Sequence, residues 1–460
     1  MFALRRLSCR APRALTAVPV RYNADLTVAT DSPVAQPPPP PPPPAAVASE
    51  FAEDLGENTG TRGRRRRKRI PTKRPAISTE SPRKWNRPLA EGVLPAYDMA
   101  LKVIKTDSFR LKEEAKELRT RIGLAENTFQ ELSAKAKELS EDSQERQTLT
   151  EEVNLLDEQL EAMRVKLNIL EVQSEINLPD VRWRVANSMV NTKKPIHRHL
   201  VEQKWRKDGA LDLLMERIYQ MGVVPDVLPE IRPSLDLRVV AKTRAAEFLN
   251  AGKVQKEVEP GVYLLPKQTL EPPKLYVNVF HEDTRLYTML LVDPDVPDVH
   301  NESFTTFLHW MKPNIPLSCE HTQRILDLNT HTKYIPPHPQ QGTPYHRYVL
   351  LLLPQPPLGG AAEYTMNTIA RAQPGVPTSE HLDIPIIPEE ERLGFNVREF
   401  TRHWGLDARK GGGAHMWREI WNEDVSTIYK DILQREEPRY GRPPKVDPYA
   451  DVKRSRKYIS

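Results

Sequence analysis

The sequence predicts an α+β protein: an antiparallel β-sandwich preceded by a long α-helical, coiled-coil segment, with extended basic termini. Three observations predict it. Apolar residues at alternating spacings of four and three run from Leu111 to Leu170, short apolar runs punctuated by proline follow Gly222, and basic residues gather at both ends. The 460 residues allow two or three domains, yet 44 prolines and 28% charged residues against 38% hydrophobic ones place much of the chain outside any packed core. The longest apolar run, Tyr348 to Pro354, is only strand-length, so no integral membrane insertion is expected. Of the two cysteines, Cys9 falls in a leader and Cys319 is left alone, which excludes an internal disulfide or a cysteine-based zinc site from the mature chain.

The positive charge belongs to the amino-terminal arm. Residues 1–90 hold 17 Lys/Arg against 7 Asp/Glu, and the rest holds 50 against 55. Within residues 1–24, Arg5, Arg6, Arg10, Arg13 and Arg21 alternate with apolar residues and no acid precedes Asp25, the composition of a mitochondrial targeting presequence and an address to the matrix. Residues 25–95 read as a Pro-rich linker and a basic arm. Pro37 to Pro44 must be extended polyproline, a stiff spacer. Then Arg62, Arg64, Arg65, Arg66, Arg67, Lys68, Arg69, Lys73 and Arg74 place nine positive charges in thirteen residues, followed by Arg83, Lys84 and Arg87 around Trp85. Such a run repels itself until a polyanion neutralises it, and a nucleic-acid backbone does so by counterion release, so these twelve residues are the expected RNA contact. A merely solvated charge run is the competing reading.

Residues 96–222 read as helical. The seam Leu111, Ala115, Leu118, Ile122, Ala125, Phe129, Leu132, Ala136 and Leu139 keeps heptad rhythm. So does Leu149, Val153, Leu156, Leu160, Met163, Leu167 and Leu170, but ten residues separate Leu139 from Leu149 where a continuous seam needs eleven. The break leaves two options, an interrupted long helix or a hairpin. Short helices are expected over 180–222, where Trp183, Lys193, Lys194, His197, Arg198, His199, Lys204, Trp205 and Arg206 suit an RNA contact and an ordinary helix surface equally.

In residues 223–432 the apolar runs Val223–Leu228, Leu235–Val240, Lys274–Phe280, Leu286–Val292 and Tyr348–Leu353 read as strands of an antiparallel domain. Gly411 to Gly413 reads as a flexible loop before a helical stretch holding Met416 and Trp417, because no Lys-Ser/Thr completes a phosphate loop. Residues 433–460 form a basic tail.

Five motifs in order, Val224–Pro229, Pro272–Pro273, Leu286–Thr288 leading into Asp293–Pro297, Phe307–Trp310, and Pro336–Pro337 running to Gly342–Tyr348, together with Phe395–Phe400, resemble the phosphatidylethanolamine-binding protein family. The resemblance implies a β-sandwich with a small anion pocket for phospholipid headgroups or phosphate, made here of Asp293, Pro297, Pro337, His346 and Tyr348. The family's paired histidines are replaced by Thr305–Thr306, and its tyrosine of the last helix by Trp417, so the pocket Asp293, Pro297, Thr306, Pro337, His346, Tyr348 and Trp417 is read as vestigial. A phosphate beside Asp293 needs a cation, and Thr306 offers only a neutral donor. No catalytic residue, metal site or cofactor is expected.

The leader, the basic ends, the helical segment and the altered sandwich together resemble the fungal group of mitochondrial large-subunit ribosomal proteins that carry such a domain. That resemblance implies a structural, non-enzymatic component of the central protuberance, with large-subunit rRNA and neighbouring ribosomal proteins as partners. A mitochondrial phospholipid-headgroup or phosphate-binding regulator and a transient large-subunit assembly factor are the alternatives.

Overall fold

The computed structural model of the chain describes residues 88–441, apart from 139–143, 245–248, 250–251, 253, 321–323, 360–362 and 374. The presequence, the proline run, the basic arm from Arg62 to Arg87 and the tail beyond Gly441 lie outside the described residues.

Two long helices open the described chain: α1 (Pro95–Glu138) and α2 (Gln144–Ile176). They form an antiparallel hairpin, which settles the choice left by the phase break. Arg119 pairs with Glu171, Lys112 with Glu175 and Arg164 with Glu126, so residue numbers rise along one helix as they fall along the other. The two seams meet as one core of Ala115, Leu118, Ile122, Leu160 and Leu170, flanked by Leu111, Ala125, Phe129, Leu156, Met163 and Leu167. The short helices follow as expected: α3 (Pro179–Ala186) and α4 (Pro195–Lys207) each begin on a proline, which costs no hydrogen bond there, and α5 (Ala210–Gln220) starts after Gly209.

The sandwich is built from two sheets. β1 (Asp236–Lys242), β2 (Gln255–Val258) and β4 (Lys274–Asn278) form one in the order β2-β1-β4. The other is built from β3 (Tyr263–Leu264), β5 (Arg285–Asp298), β6 (Ser303–Leu317), β7 (His346–Pro354) and β8 (Gly413–Glu419), in the order β3-β8-β7-β5-β6. All pairings are antiparallel except β3 with β8. Residues of β5 and β7 are buried on both faces. Met289, Leu291, Leu350, Leu352 and Trp417 pack inward against Leu237, Val239, Leu275 and Val277 of the small sheet. Leu290, Val292, Leu351, Leu353 and Met416 face a second core made with Leu214 and Ile218 of α5, Val397 of α7 (Val397–His403), and Ile384 and Leu406.

Two local expectations are corrected. Val223–Leu228 is not a strand: Val223–Asp226 makes a helical turn, and Val223, Val227 and Leu228 fill the second core. Pro225 and Pro229 lack the N–H groups that a ladder would need. Nor does Gly411–Gly413 lead into a helix. Met416 and Trp417 lie on β8, and the glycines make the junction between the sheets. The Gly412 carbonyl accepts from the Ser234 and Leu235 N–H groups at 2.8 and 2.9 Å, its φ is +106°, and a Cβ there would meet the Leu352 carbonyl oxygen at 2.2 Å. Only glycine permits that approach.

Two devices hold the helical part to the sandwich. The Glu161 carboxylate accepts from the backbone N–H of Met366 (2.9 Å) and Asn367 (2.7 Å), capping α6 (Met366–Arg371) from a different element. Arg347 of β7 grips Asp295 through Nε and Nη2 at 2.8 and 2.7 Å, and its Nη1 donates to the Asp226 carboxylate and the Met221 carbonyl at 2.8 and 2.6 Å. Replacing Arg347 by Met leaves the half-buried Asp295 carboxylate without its guanidinium partner and with only the backbone N–H of residue 347, 2.8 Å away, still donating, and we expect a loss of about 3 kcal/mol in urea unfolding. A loss under about 1 kcal/mol would show that water substitutes for the guanidinium.

Candidate functional site

The residues expected to form the pocket meet at one end of the large sheet, where register carries them together. His346 opens β7 opposite Glu419, Tyr348 lies opposite Trp417, and Asp293 of β5 lies opposite Phe307 of β6. Irregularities in the β5–β6 register on either side of Asp293 turn its carboxylate into the cluster. Pro337 is buried in the loop before β7, and Pro297 is half-buried near the β5–β6 turn. Thr306 contributes through its backbone: its carbonyl accepts from Gly394 and Phe395 N–H at 2.9 and 3.1 Å. Trp417 is not a helical residue. It is wholly buried on β8, stacked on Tyr348 with ring centroids 6.1 Å apart, and the aromatic side chain that the last helical stretch brings to the cluster is Tyr429.

The Asp293–His346 pair is spent within the protein. His346 Nδ1 lies 2.7 Å from Asp293 Oδ2 and its Nε2 lies 2.9 Å from the Thr343 hydroxyl, which itself donates to the Gln340 carbonyl at 2.8 Å. Asp293 Oδ1 accepts from the Asp295 N–H at 2.9 Å. Neither ring nitrogen is left to meet an incoming anion.

Rings that no sequence pattern singled out fill the space beside this pair. His309 of β6 and His338 of the following loop are buried, with centroids 5.0 Å apart; Phe307 packs on them at 4.8 and 5.1 Å, Tyr348 on His309 at 5.2 Å, and Tyr429 on His338 at 5.4 Å. Burial, reinforced by the neighbouring His338, pushes His309 well below the usual imidazole range, and burial also pushes His338 down. His309 Nδ1 faces the Ile335 carbonyl at 2.9 Å and so carries the proton, which leaves Nε2 as a buried acceptor without a partner. The Tyr348 hydroxyl and Glu419 Oε2 are also buried without a direct partner.

Glu419 changes the electrostatics most. It is fully buried, its Oε1 accepts from the Thr269 hydroxyl and Trp417 Nε1 at 2.8 Å each, and burial pushes its carboxyl up to about 8 against those bonds. The nearby Asp293 charge acts in the same direction as burial. The Asp293 carboxylate is paired with His346, while Glu419 and the imidazoles of His309 and His338 are all pushed toward their uncharged forms. The sequence carried a signal for this, since Phe307-Leu308-His309 and Pro337-His338 sit inside or beside the ordered motifs, but only the fold turns the imidazoles inward. Among the described residues no group of three or more His, Cys, Asp or Glu side chains could hold a metal ion. Nor is any helix there long and apolar enough to cross a membrane.

The fold and the cluster define a two-sheet sandwich whose polar end is packed with its own side chains. Residues 253–388 match the family model for the phosphatidylethanolamine-binding protein. Protein FLOWERING LOCUS T of Arabidopsis thaliana is 34% identical over 185 residues, covering 40% of this chain and 80% of that protein. The chain belongs to the phosphatidylethanolamine-binding protein family. It is also similar to Large ribosomal subunit protein mL38 of Schizosaccharomyces pombe, at 25% identity over 260 residues, 56% of this chain and 73% of that one. Among solved structures, a phosphatidylethanolamine-binding protein from Plasmodium vivax aligns at 16% identity with a TM-score of 0.28, over 45% of this chain and 97% of that one.

The buried carboxyl makes a pH prediction. A group raised from 4.5 to about 8 contributes stability that is present below pH 4.5 and lost as pH rises toward 8. Glu419→Gln keeps the acceptor for Thr269 and Trp417 and cannot ionise. Its melting temperature should therefore exceed the wild type's at pH 8, with the difference vanishing near pH 4.5. A pH-independent difference would mean that Glu419 stays ionised in the fold.

Proposed function

We propose that the chain is a non-catalytic constituent of the large subunit of the mitochondrial ribosome, acting in the matrix at the central protuberance, where it binds large-subunit rRNA and neighbouring ribosomal proteins. The length of the similarity to the ribosomal relative carries this reading. Its 260 residues exceed the whole sandwich, residues 236–433, so the relationship takes in helical residues that the family model at 253–388 does not reach. The Arg-rich leader supports the compartment and the nine charges between Arg62 and Arg74 support the RNA contact.

The packed cluster supports a docking block over a headgroup regulator. Asp293 and His346 are consumed by each other, and the imidazoles of His309 and His338 beside them are held toward their neutral forms, so neither offers a phosphate a cation. The helical hairpin supplies a second body that the sandwich holds through Glu161 and α6.

Sedimentation of a mitochondrial lysate carrying the tagged chain tests the reading. The chain should co-migrate in stoichiometric amount with the large subunit and the full ribosome, and should stay there in high salt. Migration as a free protein would overturn it, and presence only on immature subunits would make the chain an assembly factor. Deleting residues 62–74 should weaken association most at low salt and flatten its salt dependence, because fewer counterions are released on binding. Unchanged salt tolerance after the deletion would remove the arm as an RNA contact.

A further inference from the structure

The two helices of the hairpin differ in length, and the difference leaves one end of α1 without a companion. Lys112 pairs with Glu175, Arg119 with Glu171 and Glu126 with Arg164. That register sets Ile176, the last residue of α2, beside residues 111–114 of α1. α2 goes no further because Pro179 bars the helical conformation at Leu178, whose φ of −68° and ψ of 121° are extended. The chain turns instead into α3, with Arg182 Nε donating to the Ile176 carbonyl at 2.7 Å, and α4 goes on to the sandwich, where Trp205 packs on Phe280 with centroids 5.8 Å apart. Residues Pro95 to Arg110 therefore run past α2, about 24 Å of helix at 1.5 Å per residue. Ser108 is the last buried residue of α1 in that direction, and the hairpin core begins at Leu111.

Helix phase sorts this overhang. At about 100° per residue, every apolar residue from Ala96 to Ile104 falls within one arc of about 200°, while Asp98, Lys102, Lys105 and Thr106 hold the remainder. One edge of the arc, Tyr97, Leu101 and Ile104, continues the four-three rhythm of the seam through Ser108 to Leu111, and these three are only half-buried. The other edge, Met99 and Val103, is 67% and 69% exposed. The residues before the helix fold over the polar side instead: Glu91 pairs with Lys105 and the Gly92 N–H donates to Asp98 at 3.0 Å. Phe109, also exposed, lies on that polar side.

We propose that the overhang is a docking site for a helix of a neighbouring large-subunit protein, which takes up the α1 seam where α2 leaves it. The proposal rests on the ribosomal reading for the partner but not for the surface. Continuity with the hairpin interface supplies the mode, because a helix that meets this seam needs apolar residues at spacings of three and four. Charge supplies its border. Lys102, three residues from Met99 and so beside it on the surface, is exposed with no described carboxylate within ion-pair distance, and an acidic residue on the incoming helix meets it there. A second copy of the chain fits less well. The apolar stretch, about 18 Å of helix, offers well under the roughly 800 Å² per partner of a stable free complex, whereas a neighbour fixed in the same particle needs no more.

The test changes Met99→Gln and Val103→Gln together in the full chain. Both side chains are exposed, so the isolated variant should keep the wild-type melting temperature. In mitochondria that express variant and wild type together, the variant's share of the large-subunit peak should fall about tenfold, as expected when two apolar side chains of an interface are lost. In purified large subunits, Val103→p-benzoylphenylalanine should photocross-link to a peptide of another large-subunit protein whose apolar residues stand three and four apart. Equal incorporation of the double variant overturns the docking site and leaves the ribosomal reading standing. Cross-links to rRNA, to phospholipid or to peptides of the chain itself overturn it in favour of those occupants. A lowered melting temperature of the isolated variant overturns it too, because Met99 and Val103 would then belong to the chain's own packing. Failure of the wild-type chain to join the large subunit overturns the ribosomal reading, and the proposed partner with it.

Discussion

Double-sided burial of the central strands is the constraint on which the rest of the fold depends. β5 and β7 present side chains that are apolar on both faces, so neither sheet packing nor solvent alone satisfies them. The small sheet covers one face. The other is covered by α5, α7 and the proline-interrupted segment around Val223 to Ile231, which explains why the chain before the first strand is apolar without being a strand. The helical region is therefore tied to the sandwich by core packing, and Arg347 fixes the same junction from the strand side by holding Asp295, Asp226 and the Met221 carbonyl.

The polar end of the large sheet follows from that frame. Strand register fixes Asp293, His346, Tyr348 and Glu419 at adjoining positions, and no movement of one is possible without shifting a buried ladder. Two carboxyl groups and three imidazoles share this space. The arrangement is tolerable because one carboxylate is paired with His346, Glu419 is held toward its neutral form, and His309 and His338 stay uncharged. Asp293, His346 and Thr343 satisfy one another, while His309 Nε2, the Tyr348 hydroxyl and Glu419 Oε2 are buried without a direct partner.

The hairpin's own core is narrow, and the distal seam positions Leu132, Ala136, Leu149 and Val153 are only half-buried. What anchors it is the reciprocal contact with α6, where Glu161 supplies the acceptors that the helix start lacks and Arg371 lies over the Phe129 ring at 4.9 Å. A loop helix of six residues is thereby held by an element two hundred positions away.

The amino-acid sequence alone specified the elements whose signal is periodic or punctuated: the two heptad seams, the short helices with proline at their starts, the apolar strands of the large sheet and the motifs that carried the family resemblance. Heptad rhythm and strand alternation are local consequences of 3.6- and 2-residue repeats, so they are legible without contacts. Tertiary packing set what no repeat encodes. Whether the seam folds back on itself, whether Gly411–Gly413 joins two sheets or frees a loop, whether Trp417 sits on a strand, and which of the basic residues from 182 to 207 remain exposed all depend on what packs against them. The candidate site divides the same way. Asp293, His346 and Tyr348 were legible because they stand in ordered motifs, whereas the burial that neutralises His309 and His338 and raises Glu419 arises only when strands distant in sequence exclude water from one shared space.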